Sequence, residues 1–451
     1  MSVNSSHEID MLHGSILQKS LMFTIPMALS YLLQLLFNTA DVVVVGRFAG
    51  STALAAVGST TSLVNMLVSF FVGISTGANI YISREYAAKR HDRVSDAVHT
   101  SVTMAILGGT GAMILALFLA MPILKLMKSP KDVIDLSASY LRIYYLGLPA
   151  IVLYNFGAAI LRSIGDTKRP MYFLMISGIL NVLLNLITVI VFGMGVRGVA
   201  IATTFSNYLS MVLVIHALLT EESSLRLIPT RLRIRKKIMA DILWLGVPSG
   251  LQGSVFGLSN VMIQSAVNSF GSAVMAGNAA SSSVEAFQYA FILSGANTAT
   301  TFISQHIGAR RYSRLTPIVR TILASTLVIS YAVGILFMIF SRQLISIYNS
   351  DPAVIEVGRQ RLILMCITAF LECCMDVFSF SCRGFGRTVE PMLVSLFGAC
   401  VFRIIWLHTV FLLFPSYLTV IIVWPVSWLI TATADILLFR KLRRAYPLED
   451  M

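Results

Sequence analysis

Long apolar stretches recur along almost the whole chain, and they limit its fold more than any other feature of the sequence. About twelve stretches of roughly 20 residues carry few charges, and each is long enough to cross a bilayer as a helix. Charged residues make up 12% of the chain and its mean hydropathy is +0.80, which leaves too little polar surface for a water-soluble protein. Because lipid offers the backbone no hydrogen-bond partners, the spans must be helical. The sequence therefore predicts an all-α integral membrane protein.

The two halves of the chain repeat one another at an offset of 221 residues. The motif Arg162, Gly165, Thr167 and Pro170 returns as Arg383, Gly386, Thr388 and Pro391. Pro26 and Pro248 nearly keep that offset, and each should bend the helix that contains it. Each half holds about six spans, an even number, so the halves are parallel repeats rather than inverted ones. We predict about twelve transmembrane helices in two parallel six-helix lobes around a central cavity, with the two prolines as hinge positions.

The loop charges predict how the chain lies in the membrane. Most of the 34 Lys and Arg residues fall in alternate loops and in the C-terminal tail. Basic loops stay on the cytoplasmic side, so both termini should be cytoplasmic in a multi-pass protein of the cell membrane. The net charge of +13 is then an orientation signal, and we expect no nucleic-acid partner. The basic stretch 221–237 is interpreted as a linker between an N-terminal lobe, 1–220, and a C-terminal lobe, 238–451, in a chain that works as a monomer.

Polar residues form a stripe in the first-half spans. Gln34, Asn38 and Asp41 follow at helical spacing in the first span. Asn181 and Asn185 share one face of the fifth span, and the sixth contributes Thr203. An acid among amides and hydroxyls can hold a proton or bind a hard cation through oxygen ligands. We therefore treat Asp41, Asn181, Asn185 and Thr203 as a candidate site for H⁺ or Na⁺, with Gln34 and Asn38 facing the substrate cavity.

The second half carries a different set of intramembrane charges. Glu372 and Asp376 lie one turn apart in the tenth span and cannot easily both ionise, so one should keep a proton. With Glu285 in the eighth span, they form a second candidate coupling site. Two further polar positions of the seventh span are expected to line the cavity: Asn260 and Gln264. We expect Arg403 to act as a structural counter-ion for a buried acid, and Asp435 to pair at the interface with Arg440 or Arg444.

The acids do not follow the repeat, although the scaffold does. At the offset of 221, Glu285, Glu372 and Asp376 face Val64, Ile151 and Asn155, while Asp41 faces Met262. Charges placed unequally on a symmetric scaffold indicate different tasks for the two halves.

Several motifs together resemble the multidrug and toxic compound extrusion (MATE) family. They are Pro26 through Asp41 to Arg47, Ala53–Gly58, Gly73 with Gly77-Ala78, Gln305–Ala309 and the paired Arg-(x)2-Gly-x-Thr-(x)2-Pro elements, and the resemblance covers about residues 15–445. It implies export of cationic or amphipathic organic compounds in exchange for H⁺ or Na⁺. No cofactor is implied beyond the coupling ion.

The resemblance also assigns individual positions. Asp41, Asn181 and Thr203 match the ion site of one bacterial branch, where Asn185 replaces a second Asp. Glu372 matches the tenth-span acid of another branch, whose seventh-span Glu is Phe256 here. The segment Val284-Glu285-Ala286-Phe287 resembles the corresponding segment of a related bacterial subgroup.

Two other functions were weighed against drug export. A lipid-linked oligosaccharide flippase of the same superfamily tends to have about fourteen spans and a basic cavity, whereas the intramembrane charges here are mostly acidic. A membrane enzyme would need a clustered nucleophile or metal motif, and the seven His residues are scattered. We therefore expect a transporter rather than an enzyme.

Overall fold

The computed structural model of the chain describes residues 8–127 and 131–450. Helix is the regular structure of these residues, and its long segments form twelve stretches when bent or interrupted ones are counted once. The first-half helices are α1 (Ile16–Phe48), α2 (Ser51–Ala87), α3 (His91–Leu126), α4 (Lys131–Leu146), α5 (Leu148–Ser163), α6 (Lys168–Leu186, continued by a π-helical turn at Ile187–Val191) and α7 (Gly195–Leu219).

The second half repeats this order. Its helices are α8 (Lys236–Asn268), α9 (Ser272–Gly308), α10 (Leu315–Ile339), the short α11 (Ser341–Ser346), α12 (Pro352–Gly384), α13 (Val389–Ser395), a π-helical turn at Leu396–Val401, α14 (Phe402–His408), α15 (Val410–Leu413) and α16 (Tyr417–Arg444). The predicted helical membrane fold is confirmed.

Most of these helices have the length and composition of membrane spans. Within the described residues nine qualify, or ten when the pair α4–α5, bent by 45°, counts as one span. The long helices α8 and α9 are not among them, although they match the others in length. Both carry polar side chains that face a cavity described below, and such side chains lower the mean hydropathy of a helix.

The internal repeat extends to the backbone. Three positions with a left-handed φ in the first half, Gly50, Lys89 and Gly165, have counterparts 221 residues later in Gly271, Arg310 and Gly386. The same interhelical hydrogen bond also recurs. Ser83 Oγ donates to the carbonyl oxygen of Ser163 at 3.2 Å, and Ser304 Oγ donates to that of Gly384 at 3.2 Å. The duplication seen in the sequence is therefore a duplication of structure.

The chain forms two compact units whose limits differ from the predicted seam. The first unit contains the described residues up to Ile9 and Leu29–Gly250, and the second contains Asp10–Ala28 and the described residues from Leu251 onward. Residues 10–28 thus belong with the second half, and 238–250 belong with the first. The division at 221–237 stays a prediction about the lobes of the transporter.

Each unit has its own apolar core. In the first unit, side chains of α2, α3, α5 and α7 pack together, among them Ala97, Val102, Phe156 and Val214. In the second unit, α12 packs mainly on α9 and α16, with core residues that include Met365, Met375 and Trp428. These two scaffolds place the polar side chains that follow.

Candidate functional site

Asp41 lies in the first unit, where three helices bring the predicted polar residues around it. Thr203 Oγ1 of α7 donates to one carboxylate oxygen at 3.2 Å, and the side-chain amide of Asn185 on α6 donates to the other. Asn181, one turn earlier on α6, donates to Thr203 Oγ1 at 3.3 Å and accepts from Asn185 Nδ2 at 3.3 Å. The four residues chosen from the sequence are therefore neighbours in space.

The chemistry of this Asp41 cluster suits a small cation or a proton. Its side chains carry carboxylate, amide and hydroxyl groups, whose oxygen atoms bind hard cations. Asn185 Oδ1 is buried and has no hydrogen-bond partner among the described residues. A bound cation or a proton carried by Asp41 would satisfy such an acceptor.

Two polar residues of α1 and two tyrosines of α4 differ in their relation to the Asp41 cluster, and only the tyrosines interact with Asp41 among these four. Gln34 and Asn38 precede Asp41 on α1 and are exposed, so they lie outside its hydrogen-bond network. Tyr140 and Tyr144 of α4, which the sequence interpretation missed, stack with ring centroids 5.9 Å apart and lie within electrostatic range of Asp41. The two tyrosines are four residues apart, so they share one face of α4, and this pattern could have identified them from the sequence.

The second unit contains a cavity of about 480 Å³ lined by both charged and aromatic residues. Three acids and two arginines border it: Glu285, Glu372, Asp376, Arg361 and Arg403. Asn260 and Gln264 line it as well, so the seventh-span polar positions and all three acids of the second candidate site meet at one cavity.

Glu285 is held in a two-point ion pair with Arg361 of α12. Arg361 Nε and Nη2 donate to the two carboxylate oxygens, each at 2.9 Å, and Ser281 Oγ donates to Oε1 at 2.6 Å. Arg361 also donates through Nη1 to Asn278 Oδ1 at 2.7 Å. Such a planar pair combines geometric specificity with charge neutralisation. Glu285 is therefore neutralised within the cavity wall.

Arg403 has neutral hydrogen-bond partners and lies within electrostatic range of the acid Glu372. It donates to Ser427 Oγ at 3.0 Å and to Asn260 Oδ1 at 3.5 Å, and its guanidinium lies 4.0 Å from the centroid of the Trp424 ring. The expectation that Arg403 is a counter-ion for a buried acid stays a prediction for Glu372, whereas Glu285 is paired with Arg361. Arg361 could have been found from its position eleven residues before Glu372, on the same helical face.

Glu372 and Asp376 are the acids of the cavity with the fewest polar partners. Asp376 is hydrogen-bonded by Tyr289 of α9, while its Oδ2 has no hydrogen-bond partner among the described residues. Glu372 lies within electrostatic reach of Asp376, Arg403 and Arg361. These two carboxyl groups are available to exchange protons or to meet a cationic ligand.

Aromatic and sulfur-containing side chains complete the cavity wall. Phe256, Trp424 and Trp428 supply ring faces, which attract cations, and Met365 and Met375 supply adaptable apolar surface. The cavity thus combines acidity with flat and pliable apolar surface, a combination that fits amphipathic organic cations.

The two prolines lie inside long helices at equivalent places. Pro26 is within α1 and Pro248 is within α8. Two residues after each proline, at Ala28 and Gly250, the helix passes from one compact unit to the other.

A duplicated helical membrane fold with acidic residues inside its helices is typical of membrane transporters. The MatE family model matches the chain twice, at residues 26–187 and 248–408, once for each repeat. The chain belongs to the multidrug and toxic compound extrusion (MATE) family.

Similar proteins agree with this assignment. The chain is 29% identical over 386 residues to the probable multidrug resistance protein YoeA of Bacillus subtilis, a match that covers 84% of this chain and 83% of that protein. It is 25% identical over 383 residues to the probable multidrug resistance protein NorM of Thermotoga maritima, covering 82% and 81% of the two chains. A multidrug resistance MATE family transporter solved in an outward-facing conformation shares its fold, with a TM-score of 0.92 at 21% identity over 98% of this chain and 99% of that one.

Proposed function

We propose that this protein exports cationic or amphipathic organic compounds across the cell membrane in exchange for inward H⁺ or Na⁺. The observation that carries the proposal is the cavity of the second unit, where Glu372 and Asp376 lie beside aromatic rings and methionines. Membership of the MATE family and the similarity to proteins described as multidrug resistance proteins support the substrate class. Both termini are assigned to the cytoplasm because the basic loops lie on one predicted side.

The coupling ion is assigned to Asp41 and to the acids of the cavity. Within the described part of the chain, the hydrogen-bond partners of Asp41 are neutral, so a proton or Na⁺ would remove an otherwise isolated charge. In the cavity, an organic cation and a proton compete for the same carboxyl groups. Competition of this kind couples the two fluxes, because the ligand that binds displaces the other.

Transport itself is proposed to follow alternating access of the rocker type, with Pro26 and Pro248 as hinges. A proline removes one helical hydrogen bond and weakens the helix locally. The position of both prolines two residues before a helix changes unit supports this role.

The test is efflux of a fluorescent cationic dye from proteoliposomes, with ΔpH and ΔNa⁺ imposed separately. We expect one gradient to drive dye movement, and Asp41→Asn and Glu372→Gln each to lower the driven rate at least about tenfold, because each removes a carboxyl that carries the ion. Glu356→Gln is the matched control, since Glu356 lies on the same helix as Glu372 with its side chain 54% exposed. Unchanged efflux in both site variants would refute the coupling assignment. Scrambling of lipid-linked oligosaccharide without dye transport would favour a flippase.

A further inference from the structure

A line of buried polar atoms without hydrogen-bond partners leads away from the cavity. Among the described residues, no partner is found for Asp376 Oδ2, Ser379 Oγ, Arg383 Nε and both carboxylate oxygens of Asp435. These residues are 7%, 1%, 6% and 0% exposed, respectively. Since nearly all buried polar groups in native proteins are satisfied, such a group of exceptions requires an explanation.

Asp435 is not paired as the sequence predicted. The expected pairing with Arg440 or Arg444 is wrong, because the side chain is fully buried on α16 where this helix packs on α12. Cys382 Sγ of α12 lies 4.0 Å from the backbone oxygen of Asp435. The next residue of α12, Arg383, interacts electrostatically with both Asp435 and Asp376.

Arg383 lies within electrostatic range of both acids, and its side chain is held in place by other contacts. It lies seven residues after Asp376, about 10.5 Å along the helix. Its Nη2 donates to Gln252 Oε1 at 2.7 Å, and its guanidinium lies 3.9 Å from the centroid of the Phe380 ring. Its Nε stays free of hydrogen bonds within the described part of the chain. The guanidinium of Arg383 is therefore shared as a cationic partner by the carboxylates of Asp376 and Asp435.

Among the described residues, Arg383 is the one arginine within electrostatic range of Asp376 or Asp435, while Arg361 and Arg403 act on Glu372. Tyr289 of α9 hydrogen-bonds Asp376, and Glu372, one turn earlier on α12, adds negative charge. The thiol of Cys382 lies beside Asp435. If Asp376 and Asp435 were both ionised, one negative charge would remain uncompensated, and a buried unpaired ion costs several kcal/mol.

We propose that Asp376, Arg383 and Asp435 form a one-proton site, in which the two carboxyl groups share a single proton around one guanidinium. This inference deepens the proposed antiport, on which its role in transport rests. When Asp376 carries the proton, Arg383 pairs with ionised Asp435. When a cationic substrate enters the cavity, ionised Asp376 is favoured. The O–H bond at Asp376 then breaks and one forms at Asp435, by way of water that the unpartnered atoms of the line can hold.

The first unit shows that the scaffold does not need these acids. At the offset of 221, Arg162 corresponds to Arg383, while Asn155 and Val214 correspond to Asp376 and Asp435. Val214 is fully buried in an ordinary apolar core. A valine thus fills the place of Asp435 in the sister fold, so packing does not explain the carboxylate.

Infrared difference spectroscopy of the purified full-length protein at neutral pH tests the shared proton. Removing either acid leaves the other ionised beside Arg383, so Asp376→Asn and Asp435→Asn should each remove one protonated-carboxyl band. The variant that carries both substitutions should also lack one protonated-carboxyl band, and not two. Arg383→Gln should change the signal in the opposite direction and add one band. Asp41 is common to the compared proteins, so its band cancels, and each comparison is repeated with Glu372→Gln so that Glu372, which interacts with Asp376, adds no band of its own.

Two further measurements keep the test decisive. Asp435→Val copies the first unit and should behave as Asp435→Asn if the amide variant folds poorly, while Glu356→Gln should leave the spectrum unchanged. Addition of tetraphenylphosphonium should shift the band in the unaltered protein, as the proton moves between the acids, and should cause no such change in the spectrum of either single variant, which lacks the band. Loss of two bands in the double variant, or of none in the single variants, would overturn the proposal. Because the spectra need no ion gradient, they stand apart from the antiport, which fails only if neither gradient drives dye efflux.

Discussion

The Asp41 cluster and the cavity of the second unit solve the problem of a charge in the membrane in different ways. Asp41 is surrounded by amides and a hydroxyl, which stabilise a carboxylate as dipoles without cancelling its charge. In the cavity, Arg361 cancels the charge of Glu285 through two hydrogen bonds. The first arrangement leaves a net charge that a small cation can neutralise. In the second arrangement the ion pair is neutral, so the net charge of the cavity changes only when a ligand or a proton is exchanged.

The comparison predicts the largest loss of stability for Glu285→Gln. This change leaves Arg361, whose side chain is 7% exposed, as a buried cation without its partner, at a cost of about 3–5 kcal/mol. Thermal unfolding in detergent would measure it. Glu285→Gln combined with Arg361→Met should recover much of the loss, because both charges are then gone. A midpoint as high as that of the surface control Glu356→Gln would contradict the ion-pair interpretation.

Asp41→Asn should act in the opposite direction. Because no cation among the described residues balances Asp41, removing its charge relieves a cost of about 2.5–3.5 kcal/mol for an acid at the membrane centre. We expect an unfolding temperature equal to or above that of the unaltered protein, together with loss of ion-driven transport. A drop as large as that of Glu285→Gln would show that the two acids are held in the same way.

Asn185→Asp would sharpen the distinction between proton and Na⁺. A second carboxylate beside Asp41 adds an anionic oxygen ligand, and hard-cation sites strengthen with ligand charge. We expect Na⁺ to bind about tenfold more tightly, a gain of about 1.4 kcal/mol, as measured by calorimetry at fixed pH. Gln34→Asp is the control, since Gln34 is exposed and outside the cluster. Equal gains in both variants would mean that the Asp41 cluster does not bind the ion.

The smallest effect tests the shared scaffold. Ser83→Ala and Ser304→Ala each remove the same 3.2 Å interhelical hydrogen bond, one in each unit. Each should cost about 0.5–1.5 kcal/mol, and the two costs should agree closely. Chemical denaturation of the two variants side by side checks this. A clear inequality would show that the repeats differ in packing as well as in charge.

Regular features of the chain could be predicted from the sequence, while the pairing of charges could not. The apolar runs and the offset of 221 predicted the helices and the repeat, because both follow from local composition. The cluster around Asp41 was predicted for two reasons. Asn181 and Asn185 share one face of their helix, and Asp41, Asn181 and Thr203 match a family pattern. Arg361 was missed and the pairing of Asp435 was wrong because their roles depend on the rotation of α12 and α16 against other helices. Proximity to the basic tail suggested that Asp435 pairs with Arg440 or Arg444, but the packing of α16 on α12 buries its side chain away from them.

The exchange of helical segments between the two units has a consequence for how such a chain arose. Residues 10–28 complete the second unit, and the equivalent stretch, 232–250, completes the first. A half-length copy of this chain would lack the segment that its unit takes from the other half. It would have needed a second copy to supply the missing segment, as in a domain-swapped dimer. Fusion of the two genes would then have preserved an existing partnership, after which each half was free to acquire its own acids.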